Sequence, residues 1–342
     1  MNVVVDSCKN EIKKNLKRLN FQFGVFNTNK CHRRVISFRE FDAAMAPMMA
    51  KFLIGLSLLT ANLRGLSAQK ETLNPEGCGT PSYKSMIVNG TEVKELQYPW
   101  AVFLATYFYP DFYACGGTII TKRHVLTAAH CLVSNHVRVQ KVVVWYGSVD
   151  RRNAKGVVAS KMLIHKDYVE TTDVNDIALL EVKNPFSFGK DVAPICIPIG
   201  PVPFVNKDAV VAGWGSLYID GDTVDFLRQT SVTILPDKVC TTLFGKYGFS
   251  DTRQCCANKR SKGACKGDSG GPLMVRNKAG RFQQVGIVSY LMGTCGGDYN
   301  PQVYTRVTSY SDWLTRGVSS SNGYTYIGSP KVDMLKPPFF IA

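Results

Sequence analysis

From about residue 87 to residue 313 the chain consists of short runs rich in Val, Ile, Tyr and Phe, separated by turn residues. Such runs are typical of β-strands, and their spacing favours an all-β sandwich or barrel. Only residues 308–317 combine the apolar face and the glycine stop of a helix. The strand runs are AVFLATYFY, GGTIIT, KVVVWYG, IALLEV, AVVAGWG, QQVGIVSYLM and VYTRV.

The chain has 11 cysteines and none forms a CxxC pair, which argues against a zinc ribbon. Scattered cysteines are typical of an oxidising compartment. An apolar run at 52–63, followed by the small residues Ser67 and Ala68, indicates a secretory signal peptide at 48–68. The alternative, a membrane anchor, needs about 20 apolar residues, and Arg64 ends this run too early. We therefore expect a secreted, extracellular protein.

Two segments carry no motif. Residues 1–47 are a basic extension, which is either not translated or the cytoplasmic tail of a signal anchor; we favour a start at one of the methionines near 48. Residues 318–342 are rich in Ser, Gly and Pro and are expected to be a flexible tail. The net charge of +15 could attract acidic partners, but we favour the interpretation that it forms a solvated basic face. No basic helix of a nucleic-acid binder accompanies it, so we expect no nucleic acid.

The sequence GACKGDSGGPLMV places Ser269 among glycines. A serine hydroxyl is a weak nucleophile until a base takes its proton, and the base needs a group to orient it. The base candidate is His130 in LTAAHC, and the carboxylate candidate is Asp176 in NDIALLEV. GDSGG also fits the G-x-S-x-G turn of α/β-hydrolases. That turn requires a helix after the serine and a histidine last in the chain, whereas Pro272 and an apolar run follow here.

Several segments, in this order, closely resemble the chymotrypsin/trypsin-like serine peptidases. They are MIVNG, CGGTIITKRHVLTAAHC, NDIALL, AGWG, CKGDSGGPL, GIVSY and PQVYTRV. The resemblance covers about residues 78–316. It implies an all-β domain at 87–317, built as two six-stranded antiparallel β-barrels packed together and ending in a helix.

The resemblance implies a catalytic triad. Ser269 would be the nucleophile, His130 the general base and acid, and Asp176 the group that orients the imidazole. The backbone N–H groups of Gly267 and Ser269 would form the oxyanion hole.

The resemblance also implies a substrate pocket. Gly263 would form its floor, Ser289 would begin the pairing with substrate backbone, and Leu291 and Gln302 would form its walls. A glycine floor offers no charge to Lys or Arg, and two bulky walls imply a shallow, elastase-like pocket. We therefore expect small or aliphatic P1 residues, P1 being the residue whose carbonyl is attacked.

Eight cysteines match positions that form disulfides in the family. The pairs implied by the resemblance are Cys78–Cys196, Cys115–Cys131, Cys240–Cys256 and Cys265–Cys295. Cys255 is left over, either free or bonded to another chain.

The resemblance implies a zymogen with an activation peptide at 69–86. After a cut before Ile87, the new ammonium group would pair with Asp268. Met86 stands where a trypsin-like activator requires Lys or Arg, so the activator cuts after an apolar residue, or cuts after Lys84 and leaves trimming to another enzyme. Asn89, in NGT, is the only N-glycosylation acceptor after the signal segment.

These expectations favour an active secreted serine endopeptidase. The alternatives are a catalytically silent homologue that acts by protein binding and, less favoured, a membrane-anchored peptidase. Polypeptide substrates, an activating protease and protein inhibitors are the expected partners. We expect no cofactor and no metal, because a calcium loop needs several carboxylates and the stretch VWYGSVDRRNAKG offers only Asp150.

Overall fold

A computed structural model describes residues 3–5, 34–36, 71–81, 97–200, 202–297, 301–320 and 322–327. The chain divides into two units, Met1–Gln69 and Lys70–Ala342. In the first unit, strands β1 (Val3–Val5) and β2 (Arg34–Ile36) form an antiparallel pair. Ile87, Asn89 and the whole expected signal peptide at 48–68 lie outside the described residues, as do residues 69–70 and 82–86 of the expected activation peptide.

The first barrel of the larger unit contains six strands. They are β3 (Ala101–Phe108), β4 (Asp111–Ile119), β5 (His124–Thr127), β8 (Lys141–Tyr146), β9 (Lys155–Ile164) and β10 (Ala178–Val182). Their order is β10-β5-β4-β3-β8-β9, and a β9–β10 pairing closes the barrel. A small hairpin of β6 (Val133–Ser134) and β7 (Val137–Arg138) follows β5.

The second barrel is also closed and antiparallel. Its strands are β11 (Asp208–Gly213), β12 (Arg228–Ile234), β13 (Gln254–Asn258), β14 (Pro272–Arg276), β15 (Phe282–Leu291) and β16 (Gln302–Arg306). Their order is β11-β12-β13-β16-β15-β14. Helix α1 (Asp237–Phe244) lies between β12 and β13, and helix α2 (Ser311–Ser319) follows β16.

Strand composition follows burial. Strand β8, KVVVWY, is buried along its first five residues, so both of its faces carry apolar side chains. Strand β9 is only partly buried and directs Val157, Ala159 and Met162 inward. One apolar cluster fills the first barrel around residues such as Trp100 and Leu126, and another fills the second around Tyr304 and Val232. Each barrel therefore has an apolar core of its own.

The expected fold is confirmed, since two closed six-stranded barrels precede a C-terminal helix. Each of the seven predicted runs overlaps a strand. The predicted helix begins as a 3-10 turn at Val307–Tyr310 and continues as α2. Helix α1 and strands such as β9 and β12 were not predicted, because their sequences mix polar and apolar residues without a clear period.

The segment after α2 differs from the flexible tail that the sequence predicts. Strand β17 (Thr325–Tyr326) pairs antiparallel with β9. Ile327 is buried in the core cluster of the first barrel, and its N–H donates to the Ser160 carbonyl at 3.1 Å. Thr325–Tyr326 thus form an additional strand of the first barrel's sheet. Apolar contacts that composition does not reveal fix this segment.

The structure contains the four disulfides that the resemblance implies. They are Cys78–Cys196, Cys115–Cys131, Cys240–Cys256 and Cys265–Cys295. Among the described cysteines, Cys255 alone is unpaired, and it is fully buried. A disulfide between Cys255 and another chain is not compatible with this burial, because the Cys255 sulfur is not accessible to another molecule.

Candidate active site

His130 and Asp176 form a close pair. His130 lies shortly after β5, and Asp176 lies just before β10, which pairs with β5. The His130 Nδ1 atom is 2.8 Å from Asp176 Oδ2, and the His130 backbone N–H donates to Asp176 Oδ1 at 2.9 Å. The second barrel contributes Ser289 Oγ, which donates to Asp176 Oδ2 at 2.6 Å, and Thr305 Oγ1, which donates to the Asp176 carbonyl at 2.7 Å.

These contacts set the protonation of the pair. Burial opposes the charge of Asp176, but the charge of His130 and hydrogen bonds from His130 and Ser289 outweigh it and lower the Asp176 pKa. Burial also works against the cationic form of His130, but the Asp176 charge and hydrogen bond outweigh it and raise the His130 pKa. The arrangement therefore stabilises an imidazolium that forms when His130 accepts a proton.

Ser269 lies on the turn between Cys265 and β14. Its carbonyl oxygen accepts a hydrogen bond from the Gly116 N–H of β4 at 2.7 Å, which ties the turn to the first barrel. The Cys131 Sγ atom lies 3.6 Å from that carbonyl oxygen and 3.9 Å from His130 Nε2. The Ser269 carbonyl oxygen and the Nε2 atom of His130 thus both lie beside the Cys115–Cys131 disulfide.

Steric contacts explain why the residues around Ser269 are glycines. Gly267 has φ +95°, and a Cβ atom there would lie 2.7 Å from Thr223 Cγ2. Gly270 has φ +79°, and its Cβ would overlap Thr127 Oγ1. Side chains are disfavoured at such positive φ values even without these contacts. Neither the Gly267 nor the Ser269 N–H has an acceptor within the part of the chain that the structure describes. Both donors therefore remain unpaired among the described residues.

The predicted pocket residues lie together at the ends of β15 and β16. Leu291 and Gln302 are partners in the β15–β16 ladder. A Cβ atom at Gly263 would overlap the Gln302 side-chain amide. The ladder register shifts between Val288 and Tyr290, so Ser289 falls at an irregularity. Gln302 therefore fills the space above Gly263.

Gln302 is held in that position by its neighbours. Its Oε1 atom accepts from the Ala264 N–H at 2.7 Å and from the Tyr304 hydroxyl at 2.9 Å, and its Nε2 atom donates to the Ala264 carbonyl at 2.6 Å. Gln302 is 4% exposed. Displacing a buried amide whose hydrogen bonds are satisfied costs free energy. The Gln302 side chain is therefore expected to stay in the space above Gly263.

Asp268 is buried beside a cavity. Its oxygens accept from the Gly215 N–H at 2.8 Å and the Cys265 N–H at 2.9 Å. Burial raises its pKa to about 6, although these two hydrogen bonds lower it. Gly213, Gly215 and Asp268 border a cavity of about 210 Å³. The carboxyl group lacks a cationic partner among its described hydrogen-bond donors.

A family model, Trypsin, matches residues 87–314. The chain belongs to the trypsin family of serine endopeptidases. Chymotrypsin-2 of Vespa crabro is 36% identical over 231 residues, which make up 67% of this chain and 99% of that protein. The venom protease of Bombus pensylvanicus is 36% identical over 240 residues, or 66% and 96% of the two chains.

The family domain also occurs within longer proteins. Serine protease filzig of Drosophila melanogaster is 34% identical over 250 residues, which cover 69% of this chain but only 15% of that protein. Among the described residues of this trypsin-family chain, no helix has the length and apolar character required to cross a membrane.

Several residues that shape this trypsin-family site were not singled out from the sequence. Thr305 and Gly116 support Asp176 and Ser269 through hydrogen bonds that involve backbone atoms. Ala264 and Tyr304 hold the Gln302 side chain. Asp173, three residues before Asp176, places a second carboxylate near His130. Only the short spacing between the two aspartates could have drawn attention to Asp173.

Proposed function

We propose that this chain is a secreted serine endopeptidase that hydrolyses peptide bonds through Ser269, His130 and Asp176. The observation that carries the proposal is the hydrogen-bonded His130–Asp176 pair, whose Nε2 atom and the Ser269 carbonyl oxygen both lie within 4 Å of Cys131 Sγ. A base oriented by a buried carboxylate beside a serine is the arrangement that activates a hydroxyl.

The reaction follows from these positions. Ser269 Oγ attacks the carbonyl carbon while His130 Nε2 takes its proton, and Asp176 stabilises the resulting imidazolium. The Gly267 and Ser269 N–H groups bind the oxygen that becomes negative. His130 then donates its proton to the leaving amine. A water attacks the acyl-enzyme by the same route and releases Ser269.

The proposed P1 preference is for small or aliphatic residues. The support is Gln302, which occupies the space above Gly263 and is hydrogen-bonded to Ala264 and Tyr304. A large aromatic or basic side chain would have to displace this buried amide. Because differences of one methylene are worth only about 1–3 kcal/mol, selectivity among small residues is modest.

The proposed activation is a cut before Ile87, after which the new ammonium group pairs with Asp268. The support is the buried Asp268 carboxyl beside its cavity. A cation there would make ionisation of this group favourable. The Cys78–Cys196 disulfide would keep the cleaved activation peptide attached to the domain.

The proposed cellular route is export through the signal peptide at 48–68. Four disulfides support it, since such bonds persist in oxidising compartments. Glycosylation at Asn89 belongs to the same proposal. Polypeptides are the substrates, and an activating protease and protein inhibitors are the further partners that a secreted zymogen would meet.

A fluorophosphonate probe tests the proposed function. The full-length chain with Met86→Arg is cut by immobilised trypsin, which is then removed, and the product is treated with the probe. We expect labelling of Ser269, release of peptide product, and loss of both in Ser269→Ala. An uncut chain that labels poorly would support the activation step. A correctly cut chain that neither labels nor cleaves peptides would instead indicate a silent homologue.

A further inference from the structure

Arg151 is a buried cation in the loop between β8 and β9 of the first barrel, where a short 3-10 turn spans Arg151–Asn153. Only 8% of its side chain is exposed. Its guanidinium group lies 5.4 Å from the centre of the Phe103 ring. A buried charge is costly unless it is paired and hydrogen-bonded, so the partners of Arg151 are expected to hold fixed positions.

The partners of Arg151 belong to the loop between β11 and β12 of the second barrel. The Arg151 Nε and Nη2 atoms donate to Asp225 Oδ1 at 3.1 and 3.0 Å, and Nη1 donates to Thr223 Oγ1 at 2.9 Å. The Arg151 backbone N–H donates to the Asp225 carbonyl at 3.0 Å. A planar guanidinium has its donors in fixed directions and therefore orients the groups that it binds. Arg151 thus fixes both the backbone of this loop and the rotamer of Thr223.

Thr223 packs against Gly267, whose N–H is one of the two proposed oxyanion donors. A Cβ atom built on Gly267 would lie 2.7 Å from the Thr223 Cγ2 methyl, 3.2 Å from Gly215 Cα and 3.7 Å from Ala114 Cβ. Glycine has no side chain to restrict its own backbone, so contacts of this kind restrict it instead. Because Arg151 binds the Thr223 hydroxyl, it also holds the rotamer that directs the methyl to Gly267.

We propose that Arg151 is a positioning residue for the oxyanion hole. It fixes Thr223, and Thr223 keeps the Gly267 N–H where the negative oxygen develops during the reaction. The proposal rests on the proposed function, because it assumes that the Gly267 and Ser269 N–H groups bind that oxygen. Outright loss of one oxyanion donor typically slows a reaction about 10²–10³-fold, so displacement of a donor is expected to cost about tenfold.

Substitution of Arg151 tests the proposal. The parent is the full-length chain with Met86→Arg, cut by immobilised trypsin that is then removed, and N-terminal sequencing confirms the cut before Ile87. With a P1 alanine peptide, Arg151→Gln should lower kcat about tenfold and change KM by less than about twofold. The reason is that the oxyanion forms only in the transition state, so the substrate binds as before.

Arg152→Gln is the matched control. Arg152 Nη1 lies 3.3 Å from the other oxygen of the same Asp225 carboxylate, but its side chain is 43% exposed. Exposed ion pairs contribute little to stability, and no hydrogen bond joins the Arg152 side chain to Thr223 among the described residues. We therefore expect kcat to change by less than about twofold.

Two affinities distinguish positioning from a general disturbance of the site. In a peptidyl trifluoromethyl ketone with P1 alanine, Ser269 Oγ adds to the ketone carbon, His130 takes the hydroxyl proton, and the ketone oxygen becomes the negative oxygen. The Ki of this compound should rise about tenfold in Arg151→Gln. The affinity for the unreacted peptide, measured with Ser269→Ala in both chains, should stay within about twofold. A general disturbance would weaken both.

Thr223 variants test the route of the effect. Thr223→Ser keeps the hydroxyl that Arg151 binds but removes the methyl beside Gly267, so it should lower kcat about as much as Arg151→Gln does. In the double variant the loss should stay near tenfold instead of reaching about a hundredfold, because both changes remove the same contact. Thr223→Ser also provides the test by itself if Arg151→Gln does not fold.

The outcomes are distinct. An unchanged kcat in Arg151→Gln, equal losses of affinity for the ketone and for the unreacted peptide, or losses that multiply in the double variant would overturn the proposal. A cut parent chain that neither cleaves the peptide nor reacts with the fluorophosphonate would instead contradict the proposed function.

Discussion

Two hydrogen bonds join the side chain of Gln302 to the backbone of Ala264. The Ala264 N–H donates to Gln302 Oε1 at 2.7 Å, and Gln302 Nε2 donates to the Ala264 carbonyl at 2.6 Å. The Tyr304 hydroxyl adds a third at 2.9 Å. These hydrogen bonds hold the Gln302 amide directly above Gly263, the expected floor of the pocket. The proposed shallow pocket therefore depends in large part on the Gln302 side chain.

Gln302→Gly should therefore open the pocket. We expect kcat/KM for a P1 phenylalanine peptide to rise about tenfold or more relative to a P1 alanine peptide, because the change removes the amide that an aromatic ring would have to displace. A P1-varied peptide library measures the ratio. Gln302→Met, which keeps most of the volume, is the control and should change it little. Strong cleavage after Phe or Arg by the unmodified enzyme would contradict the shallow pocket.

Asp268 should make the stability of the uncut chain depend on pH. Burial raises its folded-state pKa to about 6 from the ordinary 3.8. The folded chain thus holds this proton more tightly than the unfolded chain. Its stabilising effect is fully present below pH 4 and is lost as the pH rises through about 6, a loss of about 3 kcal/mol.

Urea unfolding at pH 4 and pH 7 measures this change in the uncut Ser269→Ala chain, with Asp268→Asn added as the comparison. The free energy of unfolding should fall between pH 4 and pH 7 by about 2 kcal/mol more in the chain with Asp268 than in the Asp268→Asn chain, slightly less than the full value of about 3 kcal/mol because pH 4 lies close to the unfolded-state pKa. In the chain cut before Ile87 the shift should shrink, because an ammonium partner favours the carboxylate. Identical pH dependence with and without Asp268 would refute the prediction.

The strand after α2 should stabilise the first barrel. Ile327→Ala removes a side chain that is 6% exposed and belongs to the core cluster, so we expect a loss of about 2–4 kcal/mol in the free energy of unfolding. Tyr326→Ala is the matched control: this neighbour is 79% exposed, and its removal should cost less than about 1 kcal/mol. Urea unfolding compares them, and equal losses would show that Ile327 does not contribute to the core.

Cys255 should be inert in the folded protein. It is fully buried, and burial raises its pKa to about 12, so almost no thiolate is present at neutral pH. Iodoacetamide followed by peptide mass mapping should find Cys255 unmodified in native protein and modified in unfolded protein. Rapid alkylation of the native protein would contradict the buried position.

The runs predicted as strands coincide with strands in the structure because their residues are apolar enough for both faces to be buried. Residues 177–182 and 303–307 are examples. Strand β9 was missed because its sequence mixes polar and apolar residues without a clear period, and most of its residues are only half-buried. The segment 322–327 was misjudged for a related reason: few of its residues are apolar, and its order depends on the pocket that receives Ile327.

The sequence by itself identified the family, because a motif such as GDSGGPL requires particular residues at adjacent positions. The site residues and the disulfide pairing followed only as implications of that resemblance. Only the tertiary structure decided that Gln302 closes on Ala264, that Asp173 lies beside His130, and that Ile327 enters the first barrel. These relationships join residues from different strands and loops, and they depend on barrel register and side-chain rotamers. Barrel register and side-chain rotamers are not encoded in any short stretch of residues, because they result from the packing of the whole domain.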